Sequence, residues 1–152
     1  MDNKIIFIII LIVIIIIFGM LTFKDFQNQE KHINVEGLDF KIPEGYQEGN
    51  LTEGANVNLT NGSAYVFIAV HNDSNITKYV NYFHEEHIKN NESVKDSILN
   101  IDGKKIYVST CPQTGSTHYW FVENKKVYSI YGLKHQNIDK NAIDLINSLN
   151  FS

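Results

Sequence analysis

Arginine is absent from this chain: all 13 basic residues are lysines. The planar guanidinium fork that usually clamps phosphates and carboxylates is therefore missing. Cysteine occurs once, as Cys111, so no intramolecular disulfide can form and cysteine pairing says nothing about redox compartment. Basic clusters are absent too, and the net charge is −4. A mildly acidic surface of this kind argues against nucleic acid as a partner. It argues equally against docking the folded part onto anionic lipid. There is no glycine-rich phosphate loop, no Gly-x-Ser-x-Gly elbow and no other cofactor motif.

What the chain does have is a long apolar run. Ile5 to Phe23 carries no charge and is mostly isoleucine. As a helix it would measure roughly 29 Å, close to the ~30 Å hydrocarbon core of a bilayer. Lys4 and Lys24 bracket it as interfacial anchors. A buried core helix would show polar residues on some face. The segment ends Phe18-Gly19-Met20-Leu21-Thr22-Phe23, without a small-x-small cleavage pattern or a lipid-accepting cysteine. Residues 1–23 therefore read as an uncleaved transmembrane signal anchor in contact with membrane lipid through residues 5–23. Residues 24–32 read as a polar stalk, and 33–152 as one globular domain.

Lysine counting leaves the orientation open, because lysines flank both ends of the anchor. Asn-x-Ser/Thr triplets bear on it differently. Asn50, Asn58, Asn61, Asn72, Asn75, Asn91 and Asn150 each begin one. Composition alone would give roughly two, so the excess favours glycan acceptors on an extracytoplasmic domain. The competing reading is that Asn-rich loops generate such triplets incidentally.

The domain shows three tight-turn signals between apolar segments: Asn61-Gly62, Asp102-Gly103 and Asn124-Lys125. Ala64 to Val70 is continuously apolar, as expected of a central strand covered on both faces. A helix capped by Asp73 or Ser74 should present Ile76, Tyr79, Val80, Phe83 and His87 on one face. A second helix over 138–149 should present Ile138, Ala142, Ile143, Ile146 and Leu149. Ile33 to Ile42 reads as a strand pair or a bent strand. The expected fold class is α+β. An antiparallel sheet of six to seven strands, in the order β-β-β-α-β-β-β-β-α, packs against two helices and follows one transmembrane helix.

The segment Phe40-Lys-Ile-Pro-Glu-Gly-Tyr46 opens this domain. Together with the strand and helix order, it resembles small, mostly uncharacterised membrane-anchored proteins of methanogenic archaea. The layout is also similar to the PsbP-like fold. That resemblance implies an antiparallel sheet flanked by helices and a binding or assembly accessory rather than an enzyme. It carries over no catalytic residue.

Three constellations invite chemistry. His84-Glu85-Glu86-His87 places two imidazoles at i and i+3, whereas a zincin helix needs i and i+4. A shared metal would need a third ligand, such as His118 or His135. The plainer reading puts the acids on a solvated face and His87 at the edge of the packed one. Cys111 with a histidine and an acid would make a nucleophile, but no local signature surrounds it and a buried free thiol is the expectation. Tyr107, Tyr119, Trp120, Phe121, Tyr128 and Tyr131 form either an open platform for a glycan or peptide, or a core beneath a helix. Two helices need covering, so core is expected.

These readings converge on a membrane-tethered, non-catalytic domain that binds a protein or an envelope glycan. The alternatives are a metal-dependent enzyme centred on His84 and His87, and a cytoplasmic-facing subunit of a membrane complex.

Overall fold

The tightest turns of the chain are written in its backbone angles. Glu36-Gly37, Asp102-Gly103 and Asn124-Lys125 all have positive φ at both central positions, the type I′ geometry that matches the twist of paired strands. The computed structural model describes residues 10–19, 30–149 and 151. It divides into two units, Met1–Lys31 and His32–Ser152.

In the first unit, residues 10–19 are helical. Ile10 to Phe18 are 47–68 % exposed, so aliphatic side chains face outward all around. Among the described residues no helix is long and apolar enough to cross a membrane. The remaining positions of the expected 5–23 span lie outside the described residues.

The second unit contains strands β1 (His32–Val35), β2 (Leu38–Lys41), β3 (Gln47–Glu48), β4 (Val57–Thr60) and β5 (Tyr65–His71), then helix α1 (Ile76–Lys89). Strands β6 (Lys95–Ile101), β7 (Lys104–Cys111), β8 (Ser116–Glu123) and β9 (Lys126–Gly132) follow, and helix α2 (Asp139–Asn147) closes the chain. Seven strands form one antiparallel sheet in the order β3-β4-β5-β9-β8-β7-β6. The α+β class, the antiparallel sheet and its two helices agree with the sequence reading.

Three details differ from it. The first strand pair does not join the large sheet. The Glu36-Gly37 turn folds the segment back on itself, and β1 and β2 pair with each other. The Asn61-Gly62 hairpin is wider than two residues. Asn61 Oδ1 accepts from the backbone of Ser63 and Ala64 at 3.0 and 2.8 Å, so a side chain rather than a type I′ turn closes it. The cap of α1 is Asn75, whose Oδ1 accepts from Lys78 N–H at 3.3 Å. Asp73 instead accepts from the Tyr79 hydroxyl at 2.5 Å.

Strand alternation sorts the sheet into two apolar faces. On one, Leu59, Val66, Ile68, Ile106, Val108, Tyr119, Phe121, Tyr128 and Ile130 pack with Ala142, Leu145 and Ile146 of α2 and with Phe40 of the β1–β2 hairpin. On the other, Trp120, Cys111 and Val127 pack with Phe83 of α1. The sheet is therefore the middle of three layers, with β5 central in its β4 side and buried from Val66 to Ala69.

Candidate functional site

The end of α1 is a Schellman turn. Asn91 takes φ 58, its N–H donates to the carbonyl of Ile88 at 2.9 Å, and the N–H of Glu92 donates to the carbonyl of His87 at 3.0 Å. Reversal at Asn91 swings the Glu92 side chain back onto the helix, where its carboxylate meets His87 Nδ1 at 2.5 Å. His87 is 3 % exposed. The fully buried thiol of Cys111, at the end of β7, donates to the same carboxylate oxygen at 3.8 Å. A side-chain amide atom of Gln113 lies 3.5 Å from that sulfur. His87, Glu92 and Cys111 thus bring one nitrogen, one oxygen and one sulfur donor within 4.8 Å of one another.

One turn earlier, a second cluster repeats the pattern. His84 Nε2 lies 3.0 Å from Asp96 Oδ1, and the buried Ser109 hydroxyl donates to that oxygen at 2.5 Å. Burial, the largest single effect, raises the Asp96 carboxyl, but the Ser109 hydrogen bond and the His84 interaction together hold it below its ordinary range. Asp96 and Ser109 are cross-strand partners in the β6–β7 register, which is what aligns them.

In both clusters the carboxylate sits between the hydroxyl or thiol and the imidazole. A serine or cysteine nucleophile needs the imidazole itself at its proton, with the acid behind. Neither arrangement supplies that order.

His84 and His87, three residues apart on α1, are each held by a different carboxylate. Of the third ligands considered, His135 sits exposed after β9, with its backbone N–H on the carbonyl of Thr114 at 2.7 Å. His118 lies beneath α1, its ring stacked on Tyr131 at 4.7 Å and tilted against Phe83 at 4.7 Å. Burial, helped by the charge of His87, pushes its pKa down to about 3, so this imidazole is neutral.

The aromatic residues divide between layers. Tyr119, Phe121 and Tyr128 are buried under α2, and Trp120 is buried under α1. Tyr131 continues into a row with Phe67 and Tyr65. Of the seven asparagine triplets, Asn50, Asn61, Asn72, Asn75 and Asn91 are exposed. Asn58 is 4 % exposed and donates its amide nitrogen, the atom a glycan would occupy, to the carbonyl of Asn50 at 2.8 Å. Asn150 lies outside the described residues.

Sequence reasoning missed both acids. A signal existed for Glu92: Asn90-Asn91 marks a helix end, and an asparagine in the left-handed position turns the next residue back toward the helix. None existed for Asp96, whose role depends on strand register.

The edges of the large sheet are unequal. Strand β3 is two residues long, whereas β6 has seven, mostly exposed, with Ile98 58 % exposed. Between β6 and α1 runs a groove of about 370 Å³, lined by Val80, Asp96, Ile98, Tyr107 and Ser109 among others. A second groove, about 380 Å³, lies on the other flank of α1 against His71, Tyr79 and Tyr82.

No protein-family model and no curated protein matches the chain. Among solved structures it is similar to the cyanobacterial PsbP (CyanoP) of Synechocystis sp. PCC 6803. That match has a TM-score of 0.55 at 9 % identity and covers 80 % of this chain and 92 % of that one. A protein from Bacteroides thetaiotaomicron matches with a TM-score of 0.44 at 14 % identity, over 82 % of this chain and 49 % of that one. The fold of residues 32–152 is PsbP-like.

Proposed function

We propose that this chain is a non-catalytic binding module, tethered to a membrane by residues 5–23 with its folded domain outside the cytoplasm. It captures a partner protein by accepting an extended segment along β6. The observation that carries this reading is the edge itself. A seven-residue strand with unpaired backbone donors and acceptors invites another strand. Natural domains use such edges to bind peptides, with backbone bonds supplying affinity and neighbouring pockets supplying specificity. Here the exposed Ile98 and the groove beside Tyr107 provide the pocket.

Tethering is supported by the charge-free run from Ile5 to Phe23 and by the outward-facing aliphatic side chains of Ile10 to Phe18. Burial of Trp120, Phe121 and Tyr128 leaves little of the aromatic set for stacking on an envelope glycan, which favours a protein partner. The non-catalytic reading rests on the carboxylate-centred clusters, and it displaces the metal-dependent enzyme built on His84 and His87.

Photo-crosslinking in cells tests the edge. A crosslinker at Ile98 should trap a distinct polypeptide, whereas one at the exposed Leu51, far along the chain, should not. Failure at Ile98, or equal trapping at both, refutes the docking edge. Alkaline washing of membranes tests the tether: the full-length chain should stay in the pellet. Protease added to intact cells should digest the domain, and its protection would place it inside.

A further inference from the structure

We propose that His87, Glu92 and Cys111 form a zinc site that fastens the end of α1 to the end of β7. The donor set is one thiolate, one imidazole and one carboxylate, the combination of soft, borderline and hard ligands that suits Zn²⁺. Around a tetrahedral zinc with bonds of about 2.0–2.3 Å, donor atoms stand roughly 3.3–3.6 Å apart. The thiol sulfur and the Glu92 oxygen are 3.8 Å apart, within a few tenths of an ångström of that spacing. His87 Nδ1 and the same oxygen are 2.5 Å apart because a proton lies between them. Rotation of the Glu92 side chain, which is 19 % exposed, opens that gap.

Three features separate this cluster from an incidental one. A buried structural thiol normally faces hydrocarbon, yet Cys111 points its sulfur at a carboxylate oxygen and an amide. The Schellman turn fixes Glu92 against His87 through the backbone, so two of the donors are held before any ion arrives. The two ligand-bearing segments are also tied together, because the Gln113 side chain bonds to Ser93, the residue after Glu92.

Binding expels the thiol proton to solvent. The proton shared by Nδ1 and the Glu92 carboxylate also leaves to solvent, and the imidazole keeps its proton on Nε2. The fourth position falls to water. Neither groove beside α1 is lined by any of the three ligands, and the effect expected of the ion is on stability.

The test uses the purified full-length chain, stripped with a chelator and titrated with Co²⁺ and Zn²⁺. Co²⁺ should give a thiolate-to-metal charge-transfer band at one equivalent, displaced by Zn²⁺, and Zn²⁺ should raise the melting temperature. Cys111→Ser should abolish the band, and Glu92→Gln should weaken zinc binding about a hundredfold or more. Absence of the band in the folded wild-type chain overturns the proposal without recourse to any variant. So does zinc retention in Cys111→Ser equal to that of the wild type, which would assign the metal to surface histidines.

Discussion

Ile138 occupies the space that a side chain on Gly132 would need: a Cβ built on Gly132 would come within 2.5 Å of Ile138 Cγ2 and 3.3 Å of the Tyr65 carbonyl. Gly132 ends β9 on the α2 face, and its missing side chain lets the fully buried Ile138 seat against the sheet before α2 begins.

Gly132→Ala should therefore destabilise the domain by about 1–3 kcal/mol, the usual range for overpacking a filled core. Urea midpoints measure it. Ile138→Ala is costly alone, but in that background Gly132→Ala should cost much less. Equal costs in both backgrounds would mean that the two residues do not compete for space.

A second relationship crosses the β7–β8 pair. Lys104 Nζ reaches the Glu123 carboxylate and also donates to the Val122 carbonyl at 3.1 Å. Glu123 is buried. Removing one partner of a buried ion pair weakens the compensation of the charge that remains, which typically costs about 3–5 kcal/mol. Lys104→Met should approach the lower end of that range, since the lysine is partly exposed. Adding Glu123→Leu should recover most of the loss. A loss that the double variant does not recover would show that Lys104 acts through its stem packing.

Much of this architecture was legible because local chemistry and global fold agree. Asp102-Gly103 and Asn124-Lys125 specify their hairpins, and the 3.6-residue spacing of Phe83 and His87 marks the buried face of α1. Leu145 was overlooked on α2 although it stands seven residues from Ile138 and three from Ala142, on the same helical face, and it is buried beside Ile146. The pairing of β1 with β2 alone was not legible: a turn signal states that the chain reverses, not which sheet it joins. The candidate site was less readable still. His84, His87 and Cys111 stood out by residue type, but the acids that bind them arrive through a helix-end reversal and a strand register.

Lys125 carries backbone strain. Its φ is 61, in the left-handed region that disfavours a residue with a Cβ by roughly 1–2 kcal/mol. The turn needs that conformation to match the twist of β8 and β9. Lys125→Gly should raise stability by up to about 1 kcal/mol, after subtracting the extra freedom glycine gains in the unfolded chain. Lys125→Val should lower it, since a β-branched side chain fits this region worst. Thermal melts of the two variants should move in opposite directions. Movement in the same direction would argue against the turn as the source.

His71 ties stability to pH at the far end of α1's groove. Its ring stacks on Tyr79 at 3.9 Å and 17°, and it shares the groove with Lys78 and Glu85 of α1. Burial lowers its pKa from 6.5, Lys78 adds to the lowering, and the nearby Asp73 carboxylate opposes it. The folded state therefore prefers the neutral ring, while the unfolded chain takes up a proton at the ordinary pH. The stabilisation is complete above pH 6.5 and declines as the pH falls below it. Asp73 does not confuse this window. The Tyr79 hydrogen bond, chiefly, lowers its pKa from 3.8, so its own contribution is lost only in stronger acid. His71→Phe keeps a ring against Tyr79 but removes the titration. Urea midpoints taken at about pH 7.5 and about pH 5 should fall less in this variant than in the parent chain. An NMR titration of the parent should place the His71 midpoint below 6.5. Identical pH slopes in the two proteins would shift the acid sensitivity to His118, whose imidazole is also held neutral in the fold.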